Sequence, residues 1–244
     1  MSSIRFQGVS NVEQFFEIKS YLEGLKGNGF LQSSGVAPRA GGDFEATITF
    51  SDRADKDRAM GILRDYLPET FPEISTDDKF MGITILACPE SYQEGNIVDI
   101  ISVHGLEGHA TNTWTCSSPN ARVWLRDFLP RDIPNARVMS FGYESHVRSK
   151  SVAEIEDTAR QLLNGLKSKR ETENACSRPL IFIAHSLGGL VVKKASFLLS
   201  VLYHPKEKRE ADNTYIGYID STINQCLQFN SRPHMLCDIL RNPT

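Results

Sequence analysis

RPLIFIAHSLGGLVVKKA, Arg178 to Ala195, is the stretch that decides how this chain is read. Pro179 to Ala184 is a short continuous apolar run, the pattern of a strand covered on both faces. From Gly188 to about Tyr203 the apolar residues recur at helical spacing instead. Between the two lies Ala184-His185-Ser186-Leu187-Gly188, with small residues two positions before and after the serine. A buried strand that turns at once into a helix, with serine at the apex, is the setting of a nucleophile elbow. The hydroxyl is then presented at the carboxyl edge of a sheet, and the helix N-terminus behind it supplies N–H groups and positive potential. Ala184 and Gly188 should let backbone approach backbone, and Gly189 should ease the packing of helix on strand. The plainer alternative is a helix start with Ser186 as its N-cap; the strand directly before it favours the elbow.

The same grammar extends upstream. Asn96 to Val103 (NIVDIISV) and Arg137 to Phe141 (RVMSF) read as further buried strands. Helical stretches separate them, one from about Ala121 to Phe128 and one opening on a capping box at Ser151 and Glu154. Strands alternating with helices predict βαβ units and a parallel sheet. Directly after the first of these strands comes Val103-His104-Gly105-Leu106-Glu107-Gly108-His109. In a serine hydrolase the loop at this place gives one backbone N–H to the oxyanion, and the residue after the nucleophile gives the other. Those would be Leu106 and Leu187, with His104 and Gly105 supporting the loop. His104 and His109 lack a third ligand at metal spacing, so neither a metal nor a cofactor is expected.

The first ninety residues follow another pattern. Ile4 to Val9 reads as a strand and Ser10-x-x-Glu13 as a capping box ahead of a helix. Phe30 to Gln32 and FEATITF (Phe44 to Phe50) read as strands, the latter alternating with period two as if half-buried. A helix follows from Asp52 to Leu67, and Phe80 to Ala87 reads as the last strand. The sum is a small βαββαβ (ferredoxin-like) leader domain, residues 1–90, joined through a polar Pro89–Gly95 linker to residues 91–244. RNA-recognition modules share that order, but the aromatic and basic surface run is missing, so no nucleic acid is expected.

Composition agrees with an ordinary globular protein: 244 residues, 40% hydrophobic, formal charge −3, hence no strong field for polyanions. Five scattered cysteines without a Cys-x-x-Cys pair argue against a disulfide framework and for a reducing compartment. With no signal-like start and no apolar run of spanning length, the sequence reads as soluble and intracellular.

HGLEGH, Thr113-Trp114, WLRDFLP (Trp124 to Pro130), ARVMSFGY (Ala136 to Tyr143) and the elbow stretch together resemble the lipase-like α/β-hydrolase domains of the serine-active-site-containing family, a group of serine esterases. The resemblance covers about Asp99 to Leu199. It implies an acyl-ester hydrolase or transacylase acting on a lipid-like substrate, with a peripheral membrane or protein partner and links to mitochondrial or endoplasmic reticulum membranes. Relatives of this kind commonly stand at the N-terminus of large fungal multidomain proteins.

After Leu199 the family pattern fades. The fold expected is therefore a partial α/β-hydrolase parallel sheet, helices on both faces, incomplete or divergent after about residue 200. Triad order in this fold is serine, acid, histidine. Asp220, ending the strand-like TYIGYID, and His234 keep that order as acid and base. His185 should point away from the site, and His146 could line a pocket but falls in the wrong order. A serine hydroxyl is a poor nucleophile without a base. The alternative is thus a catalytically incomplete pseudohydrolase that binds a ligand or partner.

Overall fold

The computed structural model describes residues 2–26, 30–39, 41–89, 97–116, 121–146, 152–172, 175 and 178–202. Within them the chain builds two four-stranded sheets of a mixed α/β protein. The first contains β1 (Ser2–Val9), β2 (Leu31–Pro38), β3 (Phe44–Phe50) and β4 (Ser75–Asp77), in the order β2-β3-β1-β4 with every pairing antiparallel. Helices α1 (Val12–Lys26) and α2 (Arg53–Thr70) bury Phe15, Ile18, Leu22, Ala59 and Leu63 with the apolar residues of the sheet. The α1 cap lies one residue later than the sequence suggests. Asn11 Oδ1 accepts from Gln14 N at 2.9 Å while Gln14 Oε1 accepts from Ser10 N at 2.8 Å. Asparagine serves as the cap, and the glutamine reaches back to the residue before it.

The second sheet contains β5 (Gly82–Ala87), β6 (Val98–Val103), β7 (Ala136–Gly142) and β8 (Leu180–Ala184), in the order β5-β7-β6-β8. Strands β6, β7 and β8 run parallel, and β5 pairs antiparallel with β7. This corrects one expectation: the run Phe80–Ala87 does not complete the first sheet, whose fourth strand is the short β4. Helices α5 (Val152–Thr172) and α6 (Leu187–Leu202) pack on one face, burying Leu162, Leu166, Val191 and Val192 against Ile101, Met139 and Phe182. The other face carries Trp114, Leu125, Leu129 and Ile133 over Ile100, Val138 and Ile183. Of the helix expected at about Ala121–Phe128 only α3 (Trp124–Asp127) forms, and a second short helix, α4 (Leu129–Asp132), follows it. Phe128, at φ −123°, marks the break two residues before Pro130, which has no N–H to continue the first helix.

FEATITF is buried on both faces, not one. Ala46, Ile48 and Phe50 join the core under the helices. Glu45, Thr47 and Thr49 face the second sheet: Glu45 accepts from Ile85 N on the outer edge of β5 at 3.0 Å, and Arg126 donates to Thr47 Oγ1 at 2.8 Å and to Ser33 Oγ. The first sheet thereby covers part of an edge that would otherwise offer free backbone groups.

At the amino ends of β6 and β7 a fully buried Asp99 carboxylate takes Arg137 Nε at 2.8 Å and Nη2 at 2.7 Å, and Arg170 Nη1 at 2.9 Å. Removing one member of a buried pair strands the other, at a cost of about 3–5 kcal/mol. Asp99→Asn should therefore destabilise the protein by about that amount in urea unfolding, and a loss below about 1 kcal/mol would mean that the arginines are solvated instead.

Candidate active site

Strands β6 and β8 are parallel neighbours with Val103 opposite Ala184, so the segments that follow them emerge side by side at the carboxyl edge. His185 N donates to Val103 O at 3.0 Å, which extends the pairing one residue further. The chain then reverses at Ser186, whose φ of +51° is left-handed, a conformation rare and strained for a non-glycine residue. Gly188 N to His185 O and Gly189 N to Ser186 O, both 2.9 Å, carry the turn into α6. Ser186 itself is exposed. The turn is possible because Gly188 has no side chain: a Cβ there would lie 2.3 Å from Val103 O and 2.6 Å from His104 O. Gly189, expected to ease packing of helix on strand, meets nothing of the described residues within 4 Å of its Cβ position, whereas Gly188 does.

The loop after β6 lies directly against the serine. A side chain at Gly105 would meet Ser186 Cβ and His185 Nδ1, each at 2.8 Å. Gly108 N donates to Gly105 O at 3.0 Å, and Glu107, also left-handed at φ +51°, donates its N–H to Ser145 O at 2.8 Å. These bonds hold the loop closed. Among the described residues nothing accepts from the N–H of Leu106 or of Leu187, the first helical residue. The buried His104 ring lies beneath, its Nδ1 3.0 Å from Gly105 O. A carbonyl only accepts, so Nδ1 carries the proton. Tyr143 stacks on that ring at 4.3 Å and donates its hydroxyl to His104 O at 2.8 Å, and burial pushes the phenol well above its ordinary range.

Ser186, Leu106, Leu187, His104 and Gly105 are thus brought together. Asp220 and His234 lie outside the described residues. His146 forms an exposed pair with Glu144 at 2.9 Å and does not line the adjoining cavity. His185 departs from expectation. Its ring does not turn away but lines a cavity of about 380 Å³ with Leu106, His109, Asn112 and Trp114, because side-chain-free Gly105 leaves room for it. Among the described residues, two buried ring nitrogens, Trp114 Nε1 and His185 Nδ1, have no hydrogen-bond partner. The sequence holds no sign of the cavity or of Tyr143 beyond the aromatic residue that follows β7.

In chemical terms, the edge presents an accessible hydroxyl in a strained turn, two open N–H groups beside it, and a part-polar cavity. The family model described as Putative serine esterase (DUF676) matches residues 98–219, half of the chain, and the chain belongs to that family. Protein SERAC1 of Danio rerio is 32% identical over 114 residues, 39% of this chain and 17% of that protein. Protein SERAC1 of Mus musculus and that of Homo sapiens are each 28% identical over 155 residues, 51% of this chain and 23% of theirs. The aligned part is therefore less than a quarter of each of these relatives. No solved structure matches the chain. Among the described residues no helix is long and apolar enough to cross a membrane.

Two outcomes follow from this geometry. Gly188→Ala should destabilise by about 2 kcal/mol or more, because backbone carbonyls occupy the space, whereas Gly189→Ala should stabilise by about 0.5–1 kcal/mol through helix propensity. Equal effects in thermal unfolding would show that α6 does not approach β6 this closely. The second concerns His109, whose pKa burial lowers from its ordinary 6.5. A histidine held neutral in the fold contributes stability above its unfolded pKa and loses it as pH falls below that value. Between about pH 7.5 and 5 the native protein should lose more stability in urea than His109→Gln, and equal losses would count against a neutral, buried ring.

Proposed function

We propose that the chain hydrolyses carboxylic, lipid-like acyl esters through an acyl-enzyme on Ser186. One observation carries the reading: an exposed serine at φ +51°, between a buried strand and a helix, with Gly105 packed on its Cβ. In the first step Ser186 Oγ attacks the ester carbonyl and gives its proton to a base. The N–H groups of Leu106 and Leu187 take the oxyanion, each such donor contributing about 3 kcal/mol. The alcohol leaves with the proton, and water, or a second alcohol in a transacylation, then resolves the acyl-enzyme. The cavity beside Leu106 and His185 is the candidate place for a substrate group. Asp220 and His234 remain the candidate acid and base. Contact with mitochondrial or endoplasmic reticulum membranes belongs to the proposal through the lipid-like substrate.

The order β5-β7-β6-β8, with the serine strand beside the loop strand and β5 antiparallel, supports an α/β-hydrolase sheet. The antiparallel order β2-β3-β1-β4 supports a ferredoxin-like leader. Because hydrogen bonding changes partner between β4 and β5, we place the division between the two units there, ahead of residue 90.

The test is covalent labelling of the folded protein by a fluorophosphonate probe. Native protein should label and Ser186→Ala should not, and His234→Ala should slow labelling by about a hundredfold or more. A folded native chain that stays unlabelled would make the protein a binding module that keeps the elbow without its base.

A further inference from the structure

The turn joining the two sheets, Asp77–Phe80, also reaches the loop at the candidate site. Its shape is fixed from the first sheet. The Asp77 carboxylate accepts from Lys79 N at 3.0 Å, from Phe80 N at 2.6 Å and from Arg5 Nε at 2.8 Å. Lys56 on α2 donates to the Asp78 carboxylate. Phe80 is fully buried at φ +54°, and its carbonyl fills the space that a side chain at Gly142 would need, 2.0 Å from the Cβ position.

His109, the last residue of the loop Leu106–His109, is held by this turn. Its ring stands edge-on to Phe80 at 5.3 Å, and its Nε2 lies 2.8 Å from Asp78 O. Nδ1 accepts from Thr111 N at 3.2 Å and, less directly, from Asn112 N at 3.4 Å. With Nδ1 accepting, the proton sits on Nε2 and is donated to Asp78 O. One neutral ring therefore caps the turn Asn112–Trp114 on one side and bonds the backbone of the turn between the two sheets on the opposite side.

We infer that the first sheet is a working part of the active site: through His109, the Asp77–Phe80 turn sets the position of the loop whose Leu106 N–H faces the reaction. His109 does not touch the reacting atoms and is a positioning residue. The inference rests on the proposed chemistry for the role of the loop, but the bridge itself is a separate matter of structure. Covalent linkage alone would allow the two units to shift against each other. A ring that must stay neutral, accepting on one side and donating on the other, allows little such movement.

Asparagine and glutamine separate bridging from local capping. At position 109 asparagine can still accept from the Thr111 N–H but is too short to reach Asp78 O, whereas glutamine can reach it and donate. Two readouts apply to the full-length chain: the rate of fluorophosphonate labelling at Ser186, and hydrogen exchange of the amides in 104–116. His109→Asn should slow labelling and speed exchange, each about tenfold, the size of one net hydrogen bond, with exchange in 180–190 unchanged. His109→Gln, which restores a donor to Asp78 O, should slow labelling and speed exchange less than His109→Asn does, by about threefold or more in each. Lys56→Ala, remote from the loop, should shift both in the direction of His109→Asn by a smaller factor, and it replaces that variant if the latter does not fold. Native rates in His109→Asn, or equal damage from asparagine and glutamine, would overturn the inference. If the native protein does not label at all, the hydrolase reading fails, while the exchange measurements still decide whether the bridge exists.

Discussion

How closely the first turn of α6 approaches the end of β6 governs everything at the carboxyl edge. The carbonyls of Val103 and His104 stand where a side chain at residue 188 would be. With glycine there, the helix can start one residue after the serine, and the N–H of Leu187 is left free by the geometry of a helix start. A larger residue would push the helix outward, relax Ser186 from its left-handed φ and withdraw the serine from Gly105. The strain of such a conformation, about 1–3 kcal/mol, persists only where surrounding packing over-determines it. Here that packing comes from Gly188 below and Gly105 beside it.

A second constraint acts on the loop. Its glycines remove side chains where three backbones converge, yet glycine alone would leave it loose. Rigidity comes from the groups beneath: His104 tied to Gly105 O, the stacked Tyr143 tied to His104 O, and Glu107 tied to Ser145 O. These aromatic groups are buried and hydrogen-bonded, so the loop rests on a support whose own geometry is fixed. An N–H held in place before reaction stabilises developing charge without the cost of reorganisation.

These features were legible to different degrees. The elbow could be read from Arg178–Ala195 because a buried strand running straight into a helix leaves few other solutions, and Ser186 is left-handed in the structure. The partner of a strand was harder to read. Phe80–Ala87 is apolar enough for either sheet, and nothing within FMGITILA records that Ile85 meets Met139 of β7 rather than β1. FEATITF alternates as a half-buried strand should, yet its polar face is also buried, because threonines and Glu45 are as suited to pairing with arginine as to solvent. The direction of His185 depended on empty space above Gly105, a property of two segments eighty residues apart. Neither candidate for the acid and base lies in the described residues.

The polar seam between the sheets bears on why the first unit packs where it does. An apolar face would bury more favourable area but would tolerate sliding, since dispersion and hydrophobic contact have little directional preference. The seam relies on directional groups: Arg126 runs beneath Gly35, where a Cβ would lie 2.5 Å from its Cδ, to reach Ser33 and Thr47, and Arg5 donates to Thr84 Oγ1 at 2.8 Å. Each guanidinium is satisfied in one register only, and a shifted seam would leave buried charge unpaired at a cost of several kcal/mol. Such a seam contributes less to stability than to alignment. Alignment is what a loop held at 2.8 Å by the turn between the sheets requires, because a slip of about one ångström would break the His109 bond altogether.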